Sequence, residues 1–392
     1  MVGISLLTLV PGVVGGSETY ARNLVRALAR VGELDYRVFV PTIAADAADG
    51  LPAKPISAYR SSRSMPGRIA AMSLAAARPG PLRRELELDR LSAIHFPLSV
   101  MLPPVSRPPA VTTMLDLQHE FYPQFFSRPE RAYRRMVYGW TARRSRLVIA
   151  ISEHVKDTLV ERLGVAPERV RVIYLAVDHE RFRPDGRARE PFLLYPANRW
   201  PHKNHERLFE AFALLRRERP GLRLVLTGAG HERKPLPNGV EARGRVSDEE
   251  LAELYRAAAA LVFPSLYEGF GQPPIEAMAC GCPVAASNTT ALPEVCGDAA
   301  HLFDPTSAEE IASAVSNLLD RPDQLVERGL ERAAQFTWDE CARKHDAVYR
   351  ELMALEKPAP RISATGVGSG AADVADDVER HLRETGFGRE WP

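Results

Sequence analysis

The sequence predicts an α/β protein built from two domains. Its 392 residues exceed what one ordinary hydrophobic core holds. Short apolar runs of strand length alternate with helical patterns along nearly the whole chain, which indicates parallel sheets covered by helices on both faces. A polar, proline-bearing stretch at residues 177–191 has the composition of an interdomain linker. It divides the chain into two α/β halves of similar size.

Bulk composition excludes several classes of protein. The net charge of +1 gives no reason to expect nucleic-acid binding. The longest apolar runs, such as residues 147–151, fall far short of the roughly 20 residues that span a membrane. The N-terminus lacks the basic region and cleavage site of a signal peptide. Four cysteines are too few and wrongly spaced for a zinc site or a disulfide framework, so a cytosolic location is expected.

The first half carries six predicted strands and two clear helices. A helix is expected at Ser17–Arg30 and another at Glu153–Leu163, with Ser152 placed to cap the second. The predicted strands are Gly3–Leu9, Tyr36–Val40, Ala93–Phe96, Ala110–Met114, Leu147–Ile151 and Val170–Tyr174.

The second half repeats the alternation and ends in a long helix. Ser247 and Glu250 form a capping box for a helix to about residue 259, and Thr337 and Glu340 form another for a helix to Leu355. The stretch after residue 357 is rich in small residues and predicts a disordered tail. The predicted strands are Phe192–Tyr195, Leu222–Thr227, Ala260–Pro264 and Pro283–Ala286.

Two glutamates, Glu268 and Glu276, enclose a glycine- and proline-bearing segment after the third of these strands. The carboxyl ends of parallel strands are where α/β sheets bind ligands. Gly269 and Gly271 allow positive φ, and the two prolines at 273–274 suit a first helical turn, which places Glu276 in that turn. Free amides at this helix start predict an anion site.

The glutamates themselves favour a ligand with hydroxyl groups. A carboxylate repels phosphate, but it accepts hydrogen bonds from the adjacent hydroxyls of a ribose. Glu268, across the turn from Glu276, then faces a second hydroxyl-rich group, and a nucleotide-sugar satisfies both. The alternative is an ordinary helix N-terminus with a favourable glutamate in its first turn. The pair alone does not decide between them.

Two cations lie at the end of another strand of the same half. Arg199 and Lys203 are four residues apart, after the predicted strand Phe192–Tyr195. An exposed basic pair is often solvated surface, but at the carboxyl edge of a sheet two cations suit a diphosphate.

Glycines after the next strands extend this edge. Gly228 belongs to a turn, TGAG, which is not a dinucleotide fingerprint because Arg233 occupies the position of the last glycine. Arg245 and Val246 follow a further strand end, and their backbone groups are placed to read a base edge.

Taken together, these motifs resemble the retaining glycosyltransferases of family GT4. The resemblance rests on E-G-F-G-x-P-x-x-E-A-M-A-x-G-x-P-V, R-x-x-x-K-N, G-R-V-S and V-D-x-x-R-F-x-P, and it extends over residues 15–355. It implies the GT-B fold, in which two Rossmann-like domains face each other across a cleft. The implied parts are an acceptor-side domain (1–182), a donor domain (189–336), a helix crossing back (337–356) and the tail (357–392).

The resemblance also implies an activity and a set of residue roles. A hexose or deoxyhexose would leave a nucleoside diphosphate and join an acceptor hydroxyl with its anomeric configuration retained. No cofactor is expected, and the lack of any Asp-x-Asp in the sequence favours a metal-free mechanism. The implied donor site places Arg199 and Lys203 on the diphosphate, Glu276 on the ribose, Glu268 on the sugar, amides of Gly269, Phe270 and Gly271 on sugar and phosphate, and Gly15 and Gly16 across the cleft.

One departure from the family concerns the N-terminal half. A His-Asp pair is common there, and this chain has Leu115-Asp116, with His119 three residues on. Asp116 and His119 are therefore both catalytic candidates, although a lone histidine is more often structural. A leucine facing the sugar's 6-position would favour a 6-deoxyhexose, such as a rhamnose-type sugar, over mannose.

Two other functions and the acceptor stay open. A nucleotide-sugar-binding protein with an impaired site is one alternative, and a dehydrogenase is weaker because the glycine fingerprint is missing. Residues 128–146 carry many arginines with Tyr133, Tyr138 and Trp140 between them. They predict either a solvated helix face or a surface for an anionic, lipid-linked acceptor at the inner face of a membrane.

Overall fold

The structure is a computed structural model that describes residues 1–13, 15–233 and 235–355. The predicted tail at residues 357–392, and the last residue of the predicted crossing helix, lie outside the described residues. Within them the chain forms two parallel β-sheets, each covered by helices, and a final helix that returns to the first domain. The predicted GT-B architecture is confirmed.

The N-terminal domain is built on a seven-stranded sheet in the order β3-β2-β1-β4-β5-β6-β7, with every pair parallel. Central strands such as Leu147–Ala150 are buried along their whole length, as strands with helices on both faces must be. The strands are β1 Val2–Ser5, β2 Tyr36–Pro41, β3 Ala53–Ile56, β4 Ala93–Phe96, β5 Ala110–Met114, β6 Leu147–Ala150 and β7 Val170–Val172. The helices are α1 Gly16–Val31, α2 Met65–Ala77, α3 Pro79–Glu85, α4 Gln118–Phe121, α5 Arg128–Arg144 and α6 Glu153–Leu163.

The C-terminal domain is built on a six-stranded parallel sheet in the order β10-β9-β8-β11-β12-β13. Its strands are β8 Glu190–Pro196, β9 Arg223–Thr227, β10 Val240–Ala242, β11 Ala258–Phe263, β12 Val284–Ser287 and β13 His301–Phe303. Its helices are α7 His205–Glu218, α8 Asp248–Ala257, α9 Gln272–Ala279, α10 Leu292–Cys296, α11 Ala308–Asp320 and α12 Asp323–Ala333, and α13 Trp338–Ala354 follows.

The two strands that sequence reasoning missed, β3 and β13, are sheet edges, as is β10, for which only the strand end before Arg245 was inferred. Edge strands are short and partly exposed, so they lack the apolar run that identifies a central strand. The first predicted strand is too long, because β1 ends at Ser5 rather than Leu9. The three predicted caps are present: Ser152, Ser247 and Thr337 accept hydrogen bonds from the amides three residues on, at 3.1, 3.1 and 3.3 Å.

Helix α13 is fixed to the N-terminal domain by a buried hydrogen-bond chain whose proton directions follow from one carbonyl. The carbonyl of Cys341 can only accept, so His345 Nδ1 donates to it (2.8 Å) and His345 Nε2 accepts from the hydroxyl of Tyr20 (3.0 Å). Thr113 then donates to Tyr20 (2.9 Å) and accepts from His95 Nε2 (2.8 Å).

The chain of bonds ends on α13 again. His95 Nδ1 accepts from the hydroxyl of Tyr349, at 2.8 Å. Burial lowers the pKa of His345 from 6.5 to about 4 and the pKa of His95 well below its usual value, so both rings are neutral, as these bond directions require. Around this buried chain, ion pairs join α13 to the surface of the domain, among them Arg350–Glu33 and Arg171–Glu351 at 2.6 and 2.5 Å.

This network makes stability depend on pH in a defined direction. Because the folded pKa of His345 (about 4) lies below the ordinary 6.5, the unfolded chain binds the proton more tightly. Stability is therefore complete above about pH 7 and falls as the pH drops from 6.5 towards 4. In urea unfolding, His345→Gln should lose about 2 kcal/mol less than wild type between pH 7 and pH 5.

His301→Gln is the matched control, since His301 is a partly exposed residue of β13, away from the network. It should keep the wild-type pH dependence. An unchanged pH dependence in His345→Gln would show that another group titrates in its place.

Candidate active site

The two domains meet where the carboxyl end of β11 faces the carboxyl end of β5. At this point a side chain on Gly269 would lie 2.1 Å from the carbonyl oxygen of Leu115. The carbonyl of Gly269 also accepts a hydrogen bond from Ser152 at the start of α6, at 2.7 Å. The amide of Leu117 donates to the hydroxyl of Tyr267 across the same junction, at 3.1 Å. The predicted glycine loop of the second domain thus lies against the first domain.

Lys203 and Glu268 are directly paired. Their Nζ–Oε1 distance is 2.5 Å, and both side chains are largely buried. The backbone of Lys203 is held by the hydroxyl of Tyr195 on β8, which donates to its carbonyl at 2.6 Å. Asn204, in the left-handed region with φ of 60°, ties the same turn to the carbonyls of Pro264 and Pro305 at 3.1 and 2.7 Å. The two predicted ligand-binding residues therefore share one fixed site.

Arg199, at the start of the same turn, has one guanidinium nitrogen bonded and one without a partner. Nη2 contacts Glu206 at 2.9 Å, and the guanidinium carbon lies 5.5 Å from the ring centre of Phe209. Nη1 is buried and has no hydrogen-bond partner among the described residues. A buried cationic donor without a partner is costly unless a ligand completes it. Arg199 is thus prepared for an anion.

Glu276 lies one turn further along α9 than predicted. Helix α9 begins at Gln272, so Glu276 belongs to the second turn and not to the first. Only 8% of its surface is exposed, and it accepts a hydrogen bond from the hydroxyl of Tyr255 at 3.1 Å. Burial raises the pKa of Glu276 to about 7. Its carboxyl group therefore titrates near neutral pH.

The two glycines between the glutamates are required for different reasons. Gly271 has φ of 101° and precedes α9, as predicted, but Gly269 is not in the left-handed region. Its requirement is the close approach to Leu115. The side chain of Phe270 is buried against Tyr174 and Phe336, so only its backbone is available to a ligand.

The glycine loop of the first domain leaves open space at the start of α1. A side chain on Gly15 or Gly16 would meet no atom within 4 Å among the described residues, which leaves room for a ligand there. The guanidinium of Arg245 reaches across to this loop and donates to the carbonyl of Gly12 at 3.0 Å. Arg245 therefore joins the domains by its side chain, in addition to the backbone role predicted for it and Val246.

Gly228 has a packing reason for being glycine. Its φ is 100°, and a Cβ there would lie 2.8 Å from the backbone of Ala197 and Asn198. The position supports the turn after β9 and gives no independent sign of a ligand.

The two N-terminal catalytic candidates separate. Asp116 is partly buried beside the junction with Gly269. His119 is fully buried between Phe126 and Tyr138, and neither of its ring nitrogens has a hydrogen-bond partner among the described residues. Burial lowers the pKa of His119 to about 4. The aromatic neighbours of His119 support a packing role, whereas Asp116 lies beside the contact between Gly269 and Leu115.

Sequence reasoning overlooked two residues of the cation turn and the second hydrogen bond of one helix cap. Trp200 and His202 lie between Arg199 and Lys203, inside a motif that was noticed only for its charges. Ser152 was predicted as a cap, and its second role, the bond to Gly269 in the other domain, leaves no local sequence signal because the two residues are 117 positions apart.

Two classes of feature are missing from the described part of the chain. No group of three or more His, Cys, Asp and Glu side chains there is arranged as a metal site. No helix within residues 1–13, 15–233 and 235–355 combines the length and the apolar character needed to cross a bilayer.

The contact at Gly269 predicts a specific effect of adding one methyl group. In Gly269→Ala the new Cβ would collide with the Leu115 carbonyl, so the cleft should open or the loop should move. We expect a larger radius of gyration in small-angle scattering and a loss of about 1–3 kcal/mol in the free energy of unfolding.

Gly221→Ala is the control, because a Cβ at Gly221 meets no described atom within 4 Å. If Gly269→Ala keeps the wild-type radius and stability, the domains are not in contact through this loop.

Comparison with known proteins agrees with the two-domain fold. The family model for glycosyltransferase family 4 matches residues 14–181, and the model for glycosyl transferases group 1 matches residues 177–335. The O-antigen chain mannosyltransferase B of Escherichia coli is 29% identical over 62% of this chain and 70% of its own length. Two solved structures share the fold: sucrose-phosphate synthase from Thermosynechococcus elongatus (TM-score 0.71, 22% identity, 91% of this chain and 99% of that one) and Anabaena HepE in complex with UDP and glucose (0.66, 18%, 89% and 99%).

The two matches together cover residues 14–335, which include cleft residues of both domains. The chain is a glycosyltransferase and belongs to family GT4.

Proposed function

We propose that this glycosyltransferase moves a hexosyl group from a nucleoside-diphosphate sugar to a hydroxyl of a glycan acceptor, with retention at the anomeric carbon. The observation that carries the proposal is the buried, unpartnered Nη1 of Arg199 beside Lys203. Together they form a site for a diphosphate at the carboxyl ends of β8 and β11. The O-antigen relative, named as a mannosyltransferase, makes mannose the first donor sugar to test.

In this reaction the protein's main task is to stabilise the leaving group. As the bond from the anomeric carbon to the phosphate oxygen breaks, negative charge grows on the diphosphate. Arg199 and Lys203 are already oriented towards it, and each contributes on the order of 3 kcal/mol by preorganised electrostatics. The departing phosphate oxygen accepts the proton of the acceptor hydroxyl, which forms the new bond on the same face of the sugar.

Glu268 orients the sugar in this scheme and does not attack it. Its carboxylate is held by Lys203 at 2.5 Å, and its amide is fixed by the hydroxyl of Thr290 at 3.0 Å. Such a group suits a hydrogen bond to a sugar hydroxyl. Asp116, on the other domain, is the second carboxylate of the cleft and faces the acceptor side.

Metal independence is part of the proposal. It is supported by the two cations, which supply the charge that a divalent ion would supply, and by the lack of an Asp-x-Asp in the sequence. The main competing function is a nucleotide-sugar-binding protein without catalysis. Two features favour a working site: the Nη1 of Arg199 has no hydrogen-bond partner among the described residues, and Lys203 forms a close ion pair with Glu268.

The test measures turnover of a panel of donors, detected as release of the nucleoside diphosphate, with and without EDTA. GDP-mannose and GDP-rhamnose (6-deoxymannose) form a matched pair that differs only at the 6-hydroxyl, and UDP-glucose adds a donor that differs in both base and sugar. Binding without turnover would identify the impaired-site alternative. Loss of activity in EDTA, restored by Mg²⁺, would overturn the metal-free mechanism. A preference for GDP-mannose over GDP-rhamnose would overturn the donor choice predicted from Leu115.

The raised pKa of Glu276 gives a prediction about nucleotide binding. Ribose hydroxyls donate to a carboxylate, so nucleotide binding should favour the ionised form of a group that titrates near pH 7. The dissociation constant of the preferred nucleoside diphosphate should therefore be about tenfold higher at pH 6 than at pH 8. Calorimetry on Glu276→Gln should show this pH dependence flattened.

Glu331→Gln, at an exposed site on α12, should keep the wild-type pH dependence. An equally steep dependence in Glu276→Gln would remove the ribose role of Glu276.

We also propose that the N-terminal domain contacts an anionic membrane surface. Helix α2 is apolar, with one charged residue, yet Leu74 on it is 61% exposed. The hydroxyl of Tyr133 on α5 contacts the sulfur of Met72 on α2 at 3.3 Å, which joins this apolar helix to the arginine-rich one. An exposed apolar helix beside basic residues suits a lipid interface. A lipid-linked acceptor would lie there.

Flotation with vesicles of phosphatidylcholine and phosphatidylglycerol tests this contact. Leu74→Glu should lower the bound fraction at least fivefold, because it puts a charge into the apolar face. Ile43→Glu is the matched control, since Ile43 is also exposed but lies outside α2 and α5. Equal binding by both variants would place the contact elsewhere, and no binding by wild type would remove it.

A further inference from the structure

The turn between the two proposed diphosphate cations presents an aromatic side chain to solvent. Trp200 follows Arg199, and 50% of its surface is exposed. Its ring lies on that of His202, with 5.7 Å between ring centres and 36° between the planes. An indole contributes most to folding when it is buried, so half-exposure beside a cleft suits contact with a ligand.

The turn is held towards the other domain. The carbonyl of His202 accepts from the amide of Leu266 at 2.8 Å. The carbonyl of Leu266 accepts in turn from the hydroxyl of Tyr122 in the N-terminal domain, at 3.1 Å. The charge of Asp116 raises the pKa of His202, against the larger lowering by burial and by Lys203. Through the bonds of Leu266, the tilted Trp200–His202 pair lies on the side of the cation turn that faces the first domain.

The chemistry of this corner differs from that of the diphosphate site. Burial, and then the charge of Lys203, lower the pKa of His202 to about 3. The imidazole is therefore neutral at physiological pH and offers one donor and one acceptor. With the Asp116 carboxylate opposite, the corner has hydrogen-bonding groups and no free positive charge. It suits neutral hydroxyls rather than phosphate.

The other exposed apolar side chains do not offer this combination. Ile43, just after β2, and Leu74, on α2, are exposed on the N-terminal domain, and both are aliphatic rather than aromatic. A basic concavity next to β8 and β9, lined by Arg187, Arg223 and Arg243, is neutralised by ion pairs to Glu253, Glu190 and Glu241. Among the described residues that expose a large apolar side chain, Trp200 is the aromatic one, and its ring lies next to the imidazole of His202.

We propose that Trp200 and His202 form a subsite for the pyranose ring of the acceptor glycan. The apolar C–H face of the sugar packs on the indole, and its hydroxyls bond to the imidazole and to Asp116 of the facing domain. The subsite lies beside Lys203, so the acceptor hydroxyl enters on the diphosphate side of the donor sugar, where same-face attack requires it. This inference rests on the proposed function, because it presupposes a glycan acceptor.

The experiment separates acceptor binding from donor binding. p-Nitrophenyl α-D-mannopyranoside serves as the acceptor probe, and KM for it is measured at saturating donor. Trp200→Ala should raise this KM at least tenfold, whereas Trp200→Phe, which keeps an aromatic face, should stay within about threefold of wild type. The affinity for the free nucleoside diphosphate should stay within twofold in both. Ile43→Ala, remote from the cleft, should match wild type in every measurement.

Two results would overturn the subsite. One is an unchanged acceptor KM in Trp200→Ala. The other is a parallel loss of nucleotide affinity, which would assign the indole to the donor. His202→Ala is a second variant that leaves the indole in place. It should raise the acceptor KM, and His202→Asn should restore part of the loss because it keeps a donor and an acceptor.

Failure of the proposed function is recognised separately. If wild-type protein neither binds nor hydrolyses any sugar of the donor panel, the glycosyl-transfer proposal and this subsite fall together. If wild type turns over a donor but does not accept the mannoside probe, the subsite alone is overturned as a site for mannose-type acceptors.

Discussion

The geometry of the cleft depends on a contact between two backbones. Gly269 lies so close to the carbonyl of Leu115 that even a methyl group would collide with it. This approach brings the loop of Glu268 against the end of β5, where Asp116 follows. Groups from three parts of the chain therefore face one volume: the cation turn after β8, the glycine loop after β11, and the rim of the first domain. The bonds from Ser152 and to Tyr267 hold the same junction in register.

A second constraint keeps the end of the chain on the first domain. The hydrogen bonds from Tyr349 through His95, Thr113, Tyr20 and His345 to the Cys341 carbonyl form a single directed series. Each hydroxyl donates once and accepts once, apart from that of Tyr349 at the end. Reversing one bond would force the others to reverse and would leave the unprotonated Nδ1 of His345 facing the carbonyl oxygen of Cys341, two acceptors without a proton between them. A network that is fully satisfied in one arrangement specifies where α13 packs, and partial satisfaction would cost more than an apolar contact.

The sequence predicts the fold and most of the site because their signals are local. Central strands such as β6 are continuous apolar runs, and Arg199, Lys203, Glu268 and Glu276 stand at strand ends that the alternation locates. What could not be predicted depends on distant parts of the chain. The edge strands β3 and β13 have too little apolar surface to be recognised. The burial of His119 depends on Phe126 and Tyr138, and that of Glu276 involves Tyr255 on α8, so no spacing rule within either motif predicts them.

The two glutamates of the site illustrate how one motif produces two different carboxylates. Glu268 is paired with Lys203, whereas burial raises the pKa of Glu276 to about 7. In the proposed reaction Lys203 would bind a phosphate of the nucleotide-sugar, and Glu268 would accept a hydrogen bond from a sugar hydroxyl. Both members of the ion pair would then have new partners. A nucleoside diphosphate without the sugar would take Lys203 and leave Glu268 partly buried and unpaired, which is unfavourable. In the proposed reaction the pair would therefore favour the substrate over the product at the same phosphate contacts.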